Sequence, residues 1–186
     1  MEIKNLYKKD KNSKIIFITG GTKSGKSRFA EHLAKKINDL TYVALSEKNP
    51  KDHNWQKKIS IHKKRRPESW KLCETTDLLN TLNLKHGPLL IDSIGGFVME
   101  NIERDNKDWF IKMNSLIEQL HKRNSFTFIV GEQVGWSLVS EYKIGNTYIE
   151  RIGELQEKIT KISQENWLAI NGRAMKIDEI SIEIPY

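Results

Sequence analysis

The chain has 186 residues, of which 38% are hydrophobic and 30% are charged, which suits one folded domain and excludes a wholly disordered protein. Its net charge of +7 favours polyanionic partners, namely nucleic acid, an acidic membrane surface or phosphorylated ligands. The single cysteine, Cys73, excludes an internal disulfide and a cysteine-based metal cluster.

The N-terminal sequence MEIKNLYKKDKNSK has no apolar signal core, and no apolar run approaches the roughly 20 residues that cross a bilayer. We therefore expect a cytoplasmic protein without a membrane span. Residues 1–14 are rich in Lys and Asn and lack periodicity, which predicts a mobile basic tail. The folded domain is expected to occupy residues 15–186.

The first two elements are predicted on either side of a glycine-rich loop. The β-branched run KIIFIT, residues 14–19, indicates a strand buried on both faces. After the loop, Phe29, Leu33 and Ile37 recur at the spacing of a helical apolar stripe. A strand, a glycine loop and a helix in this order are typical of the start of an α/β domain.

Short apolar runs and helical patterns then alternate along the chain, which predicts a mostly parallel sheet flanked by helices. The runs that indicate strands are 41–45, 88–92, 126–130 and 166–170. The patterns that indicate helices are about 52–65, 75–83, 107–123 and 147–164. The final residues, 175–186, alternate apolar and polar side chains, which favours an added edge strand or a hairpin.

The loop GGTKSGKS is a full G-x-x-x-x-G-K-S match, and it lies where a phosphate-binding loop must lie, between a buried strand and a helix. Its glycines allow backbone N–H groups to point at phosphate oxygens, Lys26 would contact the β- and γ-phosphates, and Ser27 would bind Mg²⁺. The predicted nucleotide-binding residues of this loop are Gly20, Gly21, Thr22, Lys23, Ser24, Gly25, Lys26 and Ser27.

A phosphate-binding loop of this kind works with a carboxylate at the end of a neighbouring strand. The run LLID ends in Asp92. We therefore predict that Asp92 joins Ser27 in holding Mg²⁺, and that residues 15–186 form a P-loop nucleotide-binding catalytic domain.

The segment SIHKKRRPESW, residues 60–70, places His62 directly before four cations. Three interpretations are open from the residues alone: a solvated basic helix that happens to contain a histidine, a nucleic-acid-binding surface, or a nucleophilic histidine with cations that bind phosphate. Pro67 ends any helix here, because it disfavours the helical conformation at Arg66.

Two motifs together resemble a known family. They are ITGGTKSGKSRFAEHLA, residues 18–34, and H-x-x-x-R-P-x-x-W-x-x-x-E, which runs from His62 to Glu74. With YVAL, LLID, V-G-W at 134–136 and G-E-L-Q at 153–156 in order, residues 15–176 resemble the bifunctional adenosylcobinamide kinase/adenosylcobinamide-phosphate guanylyltransferase family of cobalamin biosynthesis.

The resemblance implies a RecA-like P-loop fold in a small homo-oligomer, such as a trimer, with two activities. One phosphorylates adenosylcobinamide with ATP or GTP and Mg²⁺. The other transfers GMP from GTP through a histidine phosphoramidate to adenosylcobinamide phosphate. The residues that match the family's catalytic histidine and its nucleotide contacts are His62, Ser46, Lys63, Lys64, Arg65, Arg66 and Glu74. Lys26 would be catalytic as well, by helping pyrophosphate leave.

The chain departs from the family pattern mainly within residues 132–156. Glu132 and Gln133 stand where the family often has Asn and Glu, and Tyr148 and Gln156 stand where it often has Phe and Asn. These departures bear on the kinase half, whereas the P-loop, Asp92 and His62 match.

Two alternatives make different predictions. A P-loop small-molecule kinase in which His62 is only structural would transfer a γ-phosphate and form no covalent enzyme–GMP. A nucleic-acid-binding ATPase would show steep salt-dependent binding to DNA or RNA. We expect the bifunctional enzyme, with nucleotides and adenosylcobinamide or its phosphate as ligands and no nucleic-acid partner.

Overall fold

The computed structural model describes residues 13–45, 65–136 and 140–184. The strands are β1 Ile15–Gly20, β2 Thr41–Leu45, β3 Lys71–Thr75, β4 Leu89–Asp92, β5 Thr127–Glu132, β6 Glu165–Ile170 and β7 Arg173–Lys176. The helices are α1 Lys26–Ala34, α2 Leu78–Leu84, α3 Gly95–Glu100, α4 Asn106–His121, α5 Lys143–Ile162 and α6 Ile177–Ile180.

The strands form one seven-stranded sheet in the order β3-β2-β4-β5-β1-β6-β7. Only β7 is antiparallel to its neighbour, so the predicted mostly parallel α/β fold is confirmed. The carboxylate-bearing strand β4 is not adjacent to β1, however, because β5 pairs with both of them. Asp92 therefore lies two strands from the phosphate loop, and not on the neighbouring strand as expected.

Two apolar cores cover the two faces of the sheet. On one face α1 packs through Ala30 and Ala34 against Ile18, Leu90 and Phe128. On the other face, helices α2 to α5 pack against the odd-numbered side chains of β1 and β5, such as Phe17 and Ile129. This arrangement follows from the period of two in a strand, which sends successive side chains to opposite faces. Among the described residues, no helix is long and apolar enough to cross a membrane.

Four elements differ from the predicted secondary structure or were missed by it. The edge strand β3 was not predicted, and the helix expected from residue 75 begins at Leu78, because the Asp77 carboxylate caps it by accepting the Asn80 N–H at 3.0 Å. Helix α3 was also missed. At the C-terminus, β6 and β7 form a hairpin, but the alternating residues 177–180 form a helical turn and do not extend the strand.

Much of the predicted helix 52–65 and of the predicted tail 1–14 lies outside the described residues. Ser13 is described and buried, and its hydroxyl donates a hydrogen bond to the carbonyl of Ile162 at 2.7 Å. The packed part of the chain therefore includes at least Ser13 and Lys14.

Candidate active site

The glycine loop connects β1 to α1 at the carboxyl edge of the sheet. Gly20 must be a glycine, since an added Cβ would lie 2.3 Å from the carbonyl oxygen of Ala169. Gly25, with φ of 99°, is the left-handed N-cap residue that directly precedes α1. The N–H groups of the first turn of α1 have no carbonyl partner within the helix, so the loop can bind an anion.

Ser24 lies inside the loop with only 6% of its surface exposed. Its carbonyl accepts a hydrogen bond from the Gly172 N–H at 3.0 Å, which joins the loop to the β6–β7 turn. Its hydroxyl has no hydrogen-bond partner among the described residues. A buried hydroxyl without a partner is costly, and a bound phosphate oxygen would satisfy it.

Lys26 and Ser27 begin α1 and face the carboxyl edge of the sheet. The Lys26 ammonium donates to the carbonyl of Gly21 at 3.2 Å. The Ser27 hydroxyl donates to Oδ1 of Asp92 at 3.2 Å, although 65 residues separate the two. The structure therefore brings together the serine and the carboxylate that the sequence assigned to one site.

The second carboxylate oxygen of Asp92 also has a partner. The Tyr42 hydroxyl donates to Oδ2 at 2.5 Å, and burial raises the pKa of Tyr42, with the Asp92 charge adding to the effect. The guanidinium carbon of Arg66 lies 4.6 Å from the centroid of the Tyr42 ring. Arg66 is thus linked to Asp92 through one tyrosine.

The donors at this edge fit Mg²⁺. Ser27 and Asp92 supply two hard oxygen ligands, and Mg²⁺ commonly takes one or two ligands from the protein and the rest from phosphate and water. Among the described ranges, no group of three His, Cys, Asp or Glu side chains could hold a metal ion. The oxygens of Ser27 and Asp92 suit a metal whose other ligands come from phosphate and water.

Arg65 belongs to the cationic segment, Lys63 to Arg66, that the sequence assigned to phosphate contacts. Its Nε and Nη2 lie 2.9 and 3.2 Å from the two carboxylate oxygens of Glu31 on α1, and the Glu31 side chain is 8% exposed. Glu74, on β3, is in register with Ala44 of β2, which is in register with Asp92 of β4. Glu74 and Asp92 are therefore two strand spacings apart, about 10 Å.

Four of the predicted site residues lie outside the described part of the chain: Ser46, His62, Lys63 and Lys64. The other predicted residues lie around the carboxyl edge of the sheet, on the loop, α1, β3, β4 and the segment before β3. Thr22 and Lys23 form the exposed tip of the loop, and Gly21 accepts hydrogen bonds from Lys26 and from the Ser24 N–H.

The sequence assigned no role at this site to Tyr42 or Ser93, and it left Glu132 open between a polar loop residue and a residue that faces the corrinoid. Glu132 ends β5, and its carboxylate accepts hydrogen bonds from the Ser93 hydroxyl and from the Gly95 N–H. Burial raises the pKa of Glu132, and the nearby Lys26 charge lowers it. In the sequence, Glu132 could have been assigned to the site because it lies at the end of a strand. No feature of the sequence marked Tyr42, which lies inside β2.

Similarity to known proteins agrees with this arrangement. The profile of the family described as cobinamide kinase / cobinamide phosphate guanyltransferase matches residues 16–177. The bifunctional adenosylcobalamin biosynthesis protein CobU of Escherichia coli (strain K12) is 25% identical over 181 residues, covering 88% of this chain and 99% of that protein. The protein CobP of the same description from Pseudomonas aeruginosa is 25% identical over 166 residues, covering 86% and 95%.

Solved structures of similar fold include an ATPase from the type III secretion system of pathogenic bacteria, with a TM-score of 0.50, 11% identity and 83% of this chain covered. This chain spans 50% of that ATPase. A Pyrococcus horikoshii OT3 protein has a TM-score of 0.51 and 4% identity over 91% of this chain and 87% of its own. These structures agree with the predicted α/β P-loop fold. Since the family profile covers most of the sequence, the chain belongs to the cobinamide kinase / cobinamide phosphate guanyltransferase family.

Proposed function

We propose that this chain is a bifunctional enzyme of cobalamin nucleotide-loop assembly. It phosphorylates adenosylcobinamide with a nucleoside triphosphate, and it transfers GMP from GTP through a phosphoramidate on His62 to adenosylcobinamide phosphate, giving adenosylcobinamide-GDP. The observation that carries the proposal is the contact between Ser27 and Asp92 beside a complete phosphate-binding loop, in a chain of this family.

The loop supplies the triphosphate site for both reactions. The first-turn N–H groups of α1 and the buried Ser24 hydroxyl would donate to phosphate oxygens, and Lys26 would exchange its contact with the Gly21 carbonyl for a phosphate. Ser27 and Asp92 would hold Mg²⁺, which, when bound, offsets the negative charge of the triphosphate.

The guanylyl transfer needs a nucleophile and cations on the α-phosphate. A ring nitrogen of neutral His62 forms a bond to the α-phosphorus, the bond from that phosphorus to the β-phosphate oxygen breaks, and pyrophosphate leaves with the electron pair. Lys63, Lys64, Arg65 and Arg66 stabilise the charge, with Lys26 helping the pyrophosphate leave. Support comes from the His62-to-Glu74 motif and from the Arg65–Glu31 ion pair, which anchors the end of the cationic run to the helix that begins at Lys26.

The enzyme is proposed to act in the cytoplasm as a small homo-oligomer, with GTP or ATP, adenosylcobinamide and adenosylcobinamide phosphate as its ligands. The family match supports these assignments.

Incubation with α-labelled GTP and Mg²⁺, followed by denaturing separation, tests the histidine step. Label on the protein that is lost in acid and stable in alkali is expected. It should be absent from His62→Ala and present in His121→Ala, which changes an exposed histidine at the end of α4. A wild-type protein that carries no label but transfers γ-phosphate to adenosylcobinamide would instead be the kinase without guanylyl transfer.

A further inference from the structure

Several hydrogen bonds hold Glu132 at the carboxyl edge of the sheet. Its side chain accepts hydrogen bonds at both carboxylate oxygens, from the Ser93 hydroxyl at Oε1 and from the Gly95 N–H at Oε2, the latter at 3.2 Å. Its main-chain carbonyl accepts the Gln156 side-chain amide at 2.9 Å, and Gln156 in turn accepts the Thr19 hydroxyl at 2.8 Å. Each carboxylate oxygen retains a lone pair for one further donor.

The position of Glu132 places this carboxylate at the phosphate loop. Glu132 is in register with Gly20, the first residue of the loop, and the Gln133 N–H donates to the Gly20 carbonyl at 3.0 Å. The charges of Lys26 and Asp92 both act on the Glu132 carboxyl. The carboxylate therefore lies within electrostatic reach of the groups proposed to hold the transferred phosphate.

The Tyr148 hydroxyl and the Glu132 carboxylate both pack against Gly95. A Cβ at Gly95 would lie 2.2 Å from the Tyr148 hydroxyl and 2.8 Å from Oε2 of Glu132. The phenol and the carboxylate therefore lie close together and fill the space that a side chain at residue 95 would need.

Of the two proposed reactions, only the phosphorylation of adenosylcobinamide needs a base. In guanylyl transfer the nucleophiles are a neutral imidazole and then the oxyanion of a phosphate. In phosphoryl transfer the nucleophile is a neutral alcohol. The alcohol is the one acceptor whose O–H bond must break as the new bond forms, so a positioned base accelerates the kinase half.

We propose that Glu132 is the catalytic base of the kinase half. The alcohol proton passes to a Glu132 carboxylate oxygen, the alcohol oxygen forms a bond to the γ-phosphorus, and the bond from that phosphorus to the β-phosphate oxygen breaks. The nucleoside diphosphate leaves with the electron pair, and Glu132 later returns the proton to solvent. This role rests on the proposed function.

The other carboxylates near the loop are less suited to act as the catalytic base. Asp92 is assigned to Mg²⁺ together with Ser27, whose hydroxyl it accepts. Glu74 lies two strands beyond Asp92, on the side away from the loop. Glu132 is the carboxylate that lies beside the loop on the strand paired to β1.

The test separates the two half-reactions in the full chain. Glu132→Gln keeps the shape of the side chain and removes the base. Single-turnover phosphorylation of adenosylcobinamide should fall by about 10²- to 10⁴-fold, with labelling of His62 by α-labelled GTP unchanged. Glu132→Asp, which keeps a base one methylene further back, should give an intermediate rate. Glu103→Gln, at an exposed carboxylate between α3 and α4, is the matched control.

Retained labelling shows that Glu132→Gln is folded and binds nucleotide. A loss of phosphorylation of less than about tenfold, or an equal loss in both half-reactions, would overturn the assignment of Glu132 as the base. If the wild-type protein performs neither half-reaction, the proposed function fails, and the role of Glu132 fails with it. The wild-type measurement therefore distinguishes the two failures.

Discussion

The Tyr42 hydroxyl donates a 2.5 Å hydrogen bond to Oδ2 of Asp92, the carboxylate whose other oxygen accepts the Ser27 hydroxyl. Tyr42 lies inside β2 and Asp92 ends β4, and these two strands are paired. The tyrosine therefore orients the carboxylate proposed to hold Mg²⁺, and Arg66 packs over its ring from the segment that carries the cationic run.

Tyr42→Phe removes this hydrogen bond and keeps the ring. We expect the apparent affinity for Mg²⁺ and nucleotide to fall several-fold, because one oxygen of Asp92 loses its fixed donor. The free energy of unfolding should fall by about 1.5 kcal/mol, the net value of a hydrogen bond to a charged group. Magnesium titration of the kinase rate and urea unfolding measure the two effects. Tyr142→Phe, at an exposed tyrosine, serves as the control, and equal results in both variants would contradict an orienting role.

Lys26→Ala tests whether one loop serves both reactions. Loss of a positioned cation on the phosphates should slow phosphorylation of adenosylcobinamide and labelling of His62 together, each by about 10²- to 10³-fold. Both rates are measured under single-turnover conditions with Lys36→Ala, at an exposed lysine just after α1, as the matched variant. A variant that loses one activity and keeps the other would show that the two reactions use different triphosphate sites.

Arg65→Lys keeps the charge but loses the two-pronged contact with Glu31. Since Arg65 comes three residues after His62, the altered anchor should slow His62 labelling by roughly tenfold, the equivalent of one charge-assisted hydrogen bond. The kinase rate should change little. Arg104→Lys, in the turn before α4, controls for the substitution itself. A uniform fall in both rates would mean that Arg65 serves the fold or the shared loop, and not the histidine segment.

Arg151 is a buried cation that supports the fold away from the loop. It is 4% exposed, and its guanidinium donates to the carbonyls of Asn101, Ile102 and Arg104 and lies over the ring of Trp109. Arg151→Leu leaves these carbonyls without their donor and should cost about 2–4 kcal/mol in the free energy of unfolding. Chemical denaturation measures this, with Lys161→Leu on the same helix expected to stay within about 0.5 kcal/mol of wild type. Similar curves for the two variants would show that water replaces the guanidinium.

Several features of the fold and site could be predicted from the sequence because they depend on residues close together in the chain. The phosphate loop is eight consecutive residues, and the strand and helix beside it are its immediate neighbours. Asp92 follows its own apolar run, and the strand at 41–45 was predicted with its observed bounds. Periods of two and 3.6 residues are local properties, so they remain visible in a single sequence.

The features that were missed depend on contacts between distant parts of the chain. Edge strand β3 is short and half exposed, and it becomes a strand by pairing with β2. The insertion of β5 between β1 and β4 also has no local signal, since strand order is decided by long-range pairing.

The sequence by itself therefore predicted a nucleotide-binding loop from Gly20 to Ser27 and determined the α/β class, because each of those signals is contained within a few residues. Only the tertiary structure decided that Tyr42 would hold Asp92, and that Glu132 would stand beside the loop with Ser93 and Gly95 as donors. The first contact arises when β2 pairs with β4, and the second when β5 packs between β1 and β4. Packing of this kind joins residues that no spacing along the chain relates.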